Sequence, residues 1–269
     1  MTTTIDAPDG TPLFLRSWAP AGPPRASLVL IHGLAEHSGR YEHVGAHLAG
    51  AGFAVTAPDL RGFGRSGGTR AYVDHFETYL EDLDPLVEAA AAGGVPTGLV
   101  GHSMGGLVAL RYAQTRSRPD LVVLSAPSVD AAIPAPKRIA ARLLRRALPR
   151  LSLSNDITGE QLSTDPAVGE AYFADPLVHP KTTAGLGGAM LEAMADARSG
   201  GVPVPALVIH GGEDTLVPTA FSDSLGALPG VTRIVFPGLR HEVFNEDGGA
   251  EALRVVTGWI EERLAQTAA

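Results

Sequence analysis

The chain carries a serine, a histidine and acidic residues at spacings that could build a covalent acyl-transfer site. Gly101-His102-Ser103-Met104-Gly105 sets a serine between glycines. It follows the apolar run Thr97-Gly98-Leu99-Val100 and opens the helix-compatible run Leu107–Ala113. A serine on such a strand-to-helix turn is a nucleophile elbow, where a Cβ at either glycine would collide with neighbouring backbone. A serine hydroxyl is a poor nucleophile at neutral pH. It needs an imidazole to take its proton and a carboxylate to orient that imidazole. For an elbow serine the partners follow in chain order, acid first and histidine last. The run Ala206–His210 is followed by Gly211-Gly212-Glu213-Asp214, which places Asp214 where the acid is expected. Glu213 beside it competes, and Asp130 is a further alternative. His241 is the histidine that follows Asp214, in a loop after the last apolar run, and is the expected base.

A second match to the elbow pattern, Gly64-Arg65-Ser66-Gly67-Gly68, follows a polar loop and precedes no apolar helical period. Ser66 therefore reads as loop structure. His102 adjoins the nucleophile but should point away from it. His43, His47, His75 and His179 read as surface or packing residues. No histidine pair has metal spacing with a third ligand, so no metal or other cofactor is expected. The negative oxygen of a tetrahedral intermediate needs backbone N–H donors. Met104, at the start of the elbow helix, supplies one. Leu34, in the loop His32-Gly33-Leu34 after an apolar run, is assigned the other.

These residues need a sheet to hold them. Short runs apolar on both faces alternate with longer helical patterns. They are Ser27–His32, Phe53–Ala57, Gly98–Val100, Leu121–Leu124, Ala206–Ile209 and Thr232–Phe236. Helical patterns fall near Tyr41–Ala51, Phe76–Ala92, Met104–Gln114, Ala220–Leu228 and Ala250–Ala265. This alternation indicates an α/β fold with a mostly parallel sheet covered by helices on both faces. Leu13–Trp18 reads as an antiparallel edge strand of a hairpin. The segment 127–201 breaks the alternation. It is proline-punctuated, lacks strand runs and reads as a helical cap inserted into a core of residues 1–126 and 202–269.

The chain has 269 residues, 45% apolar content and a net charge of −8. That suits one sizeable domain and argues against nucleic acid as the main partner. There are no cysteines, which excludes disulfides and thiolate chemistry and fits a reducing compartment. The first residues lack a basic and then apolar leader, so a cytoplasmic location is expected.

Longer blocks extend the pattern. They are His32–Tyr41 (HGLAEHSGRY), Asp59–Ser66 (DLRGFGRS), Gly101–Gly106 (GHSMGG), Asp175-Pro176-Leu177 and His241–Glu246 (HEVFNE). On these the chain resembles the monoacylglycerol lipase family of α/β-hydrolases almost end to end, and several blocks look most like actinobacterial members. The resemblance implies an α/β-hydrolase fold with a mostly parallel eight-stranded sheet. It implies hydrolysis of the single ester of a monoacylglycerol to fatty acid and glycerol. It also implies a polar pocket for the glycerol end, built from Glu36, Arg40 and Tyr172. A structural ion pair is the competing reading of Glu36 and Arg40, and a core tyrosine that of Tyr172. Phe244 stands where mammalian members carry a second histidine.

Lys137–Leu148 is a basic amphipathic helix on an acidic protein, and six of the 21 basic residues fall between Lys137 and Arg150. Docking on a lipid interface is one reading, and a solvated charged face is the other. A broader carboxylesterase or lysophospholipase with the same residues is the alternative activity. A non-catalytic ligand receptor is the reading from another class.

Overall fold

In the computed structural model the apolar runs form one twisted sheet. The structure describes residues 1–131, 133 and 135–267. The strands are β1 (Thr2–Asp6), β2 (Pro12–Trp18), β3 (Ala26–Ile31), β4 (Phe53–Pro58), β5 (Thr97–His102), β6 (Leu121–Ser125), β9 (Ala206–Gly211) and β10 (Val231–Phe236). Two further strands, β7 (Ser152–Ser154) and β8 (Lys181–Thr183), lie outside it. The eight-stranded sheet runs β1-β2-β4-β3-β5-β6-β9-β10, with β2 antiparallel to both its neighbours, β1 and β4, and the other pairs parallel.

Alternate residues of the central strands enter different layers of core. On β5, Leu99 packs with one cluster and Val100 with the other. Both are fully buried, and each such burial contributes roughly 1.5–3 kcal/mol. One face is covered by α2 (Glu77–Ala92), α3 (Met104–Thr115) and α7 (Ala184–Ser199). The other is covered by α1 (Glu42–Gly50) and α9 (Gly249–Thr267). The remaining helices are α4 (Ala135–Ala147), α5 (Gly159–Leu162), α6 (Pro166–Ala174) and α8 (Asp223–Gly226).

Three details differ from the sequence reading. β2 is not the edge, because β1 pairs along its outer side. The helical pattern near Ala220–Leu228 resolves into a 3-10 turn and the short α8. The segment between β6 and β9 contains the antiparallel pair β7–β8, three residues each, too short for any alternation to show. In that segment α7 packs on α3 and contributes Leu186, Met190 and Met194 to the main core. Ala132 and Pro134, and the side chains of Ala135, Lys137 and Ala140, lie outside the described residues.

Candidate active site

Ser103 sits between β5 and α3 with φ 53° and ψ −116°, a left-handed backbone that costs a non-glycine residue about 1–3 kcal/mol. Its surroundings enforce the turn. The Ser103 N–H donates to Ser125 O at 2.9 Å, and the Ser103 carbonyl accepts from Leu107 N and Ser128 N, each at 3.1 Å. A Cβ on Gly105 would run into the carbonyl oxygens of Ile31 and His32, so only glycine lets α3 start against the end of β3. The hydroxyl of Ser103 lies 3.2 Å from that of Ser128.

Asp214 follows β9 and is buried. Its Oδ1 accepts from the N–H groups of Leu216 and Val217, both at 2.9 Å. Its Oδ2 accepts from His241 Nδ1 at 2.7 Å. A carboxylate only accepts, so His241 carries its proton on Nδ1 and keeps the Nε2 lone pair for a base. Burial alone would raise the Asp214 carboxyl, but hydrogen bonds from His210 and His241 outweigh it and hold it well below the usual carboxylate range. Of the alternatives, Glu213 is exposed, and Asp130 is paired with Arg138 and Arg198. His102 is buried and packs on His241 rather than turning away from the site. Its ring lies 4.7 Å from that of His241, and burial together with His241 pushes its pKa down to about 3.

Leu34 lies beyond β3 in the loop beside Ser103, and no acceptor takes its N–H among the described residues. Met104 opens α3, so its N–H has no intrahelical acceptor. Glu36 orders this loop. Its Oε1 accepts from Gly33 N and the Tyr41 hydroxyl, both at 2.6 Å, and its Oε2 from Arg40 at 2.7 Å. Arg40 also donates twice to Glu242, at 2.5 and 2.7 Å, and stacks 4.8 Å over the Tyr172 ring. Burial would raise Glu36, but the Arg40 charge leads a set of contacts that hold it low. Glu242 completes this buried cluster. Sequence reasoning passed over it, although its place next to His241 was the available signal.

A cavity of about 690 Å³ opens over Ser103 and His241. Its walls are largely apolar, with Leu144, Ile157, Leu162, Met190, Met194 and Leu216 among them. Glu36, Tyr172 and Glu242 line it, whereas Arg40 lies behind them. The Tyr172 hydroxyl has no hydrogen-bond partner among the described residues. No group of His, Cys, Asp and Glu able to hold a metal ion occurs among the described residues.

A serine on an elbow turn, a histidine–aspartate pair and this sheet order define an α/β-hydrolase. The pattern of the family described as serine aminopeptidase, S33, matches residues 22–248. The chain is 40% identical over 258 residues to the monoacylglycerol lipase of Mycolicibacterium smegmatis, covering 92% of each. It is 36% identical over 231 residues to the monoglyceride lipase of Homo sapiens, covering 81% of this chain and 73% of that one. The crystal structure of Paleococcus ferrophilus monoacylglycerol lipase matches with a TM-score of 0.86 at 33% identity, over 93% of this chain and 99% of that one. The chain belongs to the monoacylglycerol lipase family of α/β-hydrolases, within the wider serine aminopeptidase S33 group.

Proposed function

We propose that the protein hydrolyses monoacylglycerols to fatty acid and glycerol through an acyl-enzyme on Ser103. The observation that carries this is the largely apolar 690 Å³ cavity, with Ser103 and His241 in its lining and polar side chains beside them. Its volume falls within the usual range for small-molecule sites. The relatives' names supply the ester.

In this reading Ser103 Oγ leaves Ser128, gives its proton to His241 Nε2 and attacks the ester carbonyl. The Leu34 and Met104 N–H groups hold the oxyanion. His241 returns the proton to the departing glycerol oxygen. It then takes a proton from water, which attacks the acyl carbonyl, and passes that proton to Ser103 Oγ as the acyl–oxygen bond breaks and the acid leaves. Asp214 stays ionised and holds the imidazolium. The free Tyr172 hydroxyl is the group best able to meet glycerol, because Glu36 and Arg40 are already engaged with each other and with Glu242.

An amine-bearing peptide substrate is disfavoured by the same pairing. The acidic side chains that line the cavity, Glu36, Asp130 and Glu242, all face guanidinium groups, leaving no free carboxylate for an ammonium. Steady-state kinetics over monoacylglycerols, diacylglycerols and lysophospholipids tests the substrate. Preference for monoacylglycerols is expected, and preference for lysophospholipids would move the assignment to the broader esterase reading.

Segment 127–201 acts in this proposal as a lid whose α4 meets a lipid interface. No helix among the described residues is long and apolar enough to cross a membrane. Ile139, Leu143 and Leu148 point outward beside exposed Arg142 and Arg146, a composition suited to anionic head groups. Arg145 does not share this role, because it pairs with Glu192 and donates to Asp74 O. Neutralising Arg142 and Arg146 should weaken flotation with anionic vesicles, and unchanged flotation would remove the docking role.

A further inference from the structure

Asp214 is held by two imidazoles, and the proposed reaction uses one of them. His210, on β9, is fully buried and brings Nε2 to 3.2 Å from Asp214 Oδ2, the same oxygen that His241 Nδ1 meets at 2.7 Å. The same Nε2 lies 2.9 Å from Val217 O. Both neighbours are acceptors, so Nε2 carries a proton and shares it between them. On the other side, His210 Nδ1 lies 3.0 Å from Ser222 Oγ. Arg233 Nε donates to that oxygen at 2.9 Å, and Arg233 also donates to Thr219 O at 3.0 Å. The Ser222 hydroxyl lies 2.9 Å from Thr219 O as well, but Arg233 already donates there, so placing the Ser222 proton on His210 Nδ1 leaves neither acceptor unserved. In this arrangement every polar group around the His210 ring has a partner.

We propose that His210 is a positioning residue of the active site. It fixes the Asp214 carboxylate and draws charge from Oδ2, so that His241 is a weaker base than an Asp214–His241 pair alone would make it. The Asp214 carboxylate then has each oxygen restrained from two directions: Oδ1 by two backbone N–H groups and Oδ2 by two imidazoles. The chain of donors runs from Arg233 through Ser222 and His210 to Asp214, whose Oδ2 also accepts from His241.

The charged and titratable groups facing His241 are Asp214 and His210 from the β9 side, His102 from the elbow, Glu242 from its own loop, and Arg40 from the turn at Ser38–Tyr41. Of these, His210 and His241 donate to Oδ2 of Asp214. Removing the His210 N–H returns charge to that oxygen, which stabilises the His241 imidazolium. The acid limb of the kcat/KM profile should therefore move to higher pH. A residue that merely ties down the turn at Val217 would lower stability without moving that limb.

The test is the pH profile of ester hydrolysis by the full chain. His210→Leu should move the acid limb up by about half a pH unit and lower kcat by about tenfold, with KM within about twofold. His210→Gln, whose amide can still donate, should return the limb toward its wild-type position. In proton NMR the His241 Nδ1–H resonance should move on His210→Leu. A limb and a resonance that stay in place while only the melting temperature falls would overturn the proposal. Should His210→Leu not fold, Ser222→Ala decides, because it removes the donor to Nδ1. A shift of the limb upward supports the proposal, and a fixed limb overturns it. The inference rests on Asp214 and His241 as carboxylate and base. Loss of activity in His241→Ala with no effect at positions 210 and 222 would defeat this inference alone.

Discussion

The hydroxyl of Ser103 rests 3.2 Å from that of Ser128, and the Ser128 N–H donates to the Ser103 carbonyl at 3.1 Å. The loop after β6 thus grips the elbow through both backbone and side chain. Among the described residues, Ser128 is the hydrogen-bond partner of the Ser103 hydroxyl, so the proposed attack requires that hydroxyl first to rotate toward His241.

That hydroxyl contact sets the first prediction. An ordinary hydrogen bond is worth about 1 kcal/mol net, or roughly fivefold in an equilibrium. Ser128→Ala should therefore speed fluorophosphonate labelling of Ser103 by up to about fivefold. Labelling rates of the two proteins check this. A fall beyond about tenfold would instead make Ser128 part of the chemistry.

Glu36 separates a structural role from a binding one. Its carboxylate, buried, meets Gly33 N–H, Tyr41 and Arg40. Glu36→Ala strips Arg40 of one of two partners and frees the loop at Gly33. Breaking a buried ion pair on one side costs about 3–5 kcal/mol. Chemical denaturation should show a loss of that order, with Glu36→Gln less affected. A variant within about 0.5 kcal/mol of wild type that shows only a raised KM would assign Glu36 to the substrate instead.

His102 gives a pH dependence. In the fold its pKa drops from 6.5 to about 3, through burial first and His241 second. The neutral ring is the native form, whereas the unfolded chain takes up a proton below about 6.5. Its stabilising contribution is therefore complete above that pH and is lost as pH falls toward 3. His32, also lowered by burial, adds in the same direction. Denaturation midpoints between pH 6 and 4 should fall more steeply in wild type than in His102→Gln. Each proton lost from the linkage flattens the slope by about 1.4 kcal/mol per pH unit. Equal slopes would contradict a buried neutral His102.

The sheet was legible because its central strands are apolar on both faces, a pattern that loops and amphipathic helices do not imitate. β1, with its run of threonines, carries no such signal, which makes β2 read as the edge. In the site, the elbow and the order of Asp214 and His241 follow from local turn chemistry and chain order. The contacts of Ser128, His210 and Glu242 do not. Each acts through a partner whose contact exists only after the loops beyond β6, β9 and β10 converge. Gly211 permits that convergence, since a Cβ there would strike the carbonyl oxygens of Leu239 and Arg240. The outward apolar face of α4 was equally hidden. Periodicity shows that a helix has such a face, but not whether it turns to the core or to solvent.

The most direct measurement is kcat/KM on a monoacylglycerol for wild type, Ser103→Ala and His241→Ala, each purified free of contaminating esterase. Both variants should lose about 10⁴-fold or more, leaving only the residual catalysis of the oxyanion donors and binding. Turnover retained within about tenfold in either variant would contradict attack by Ser103 with His241 as its base.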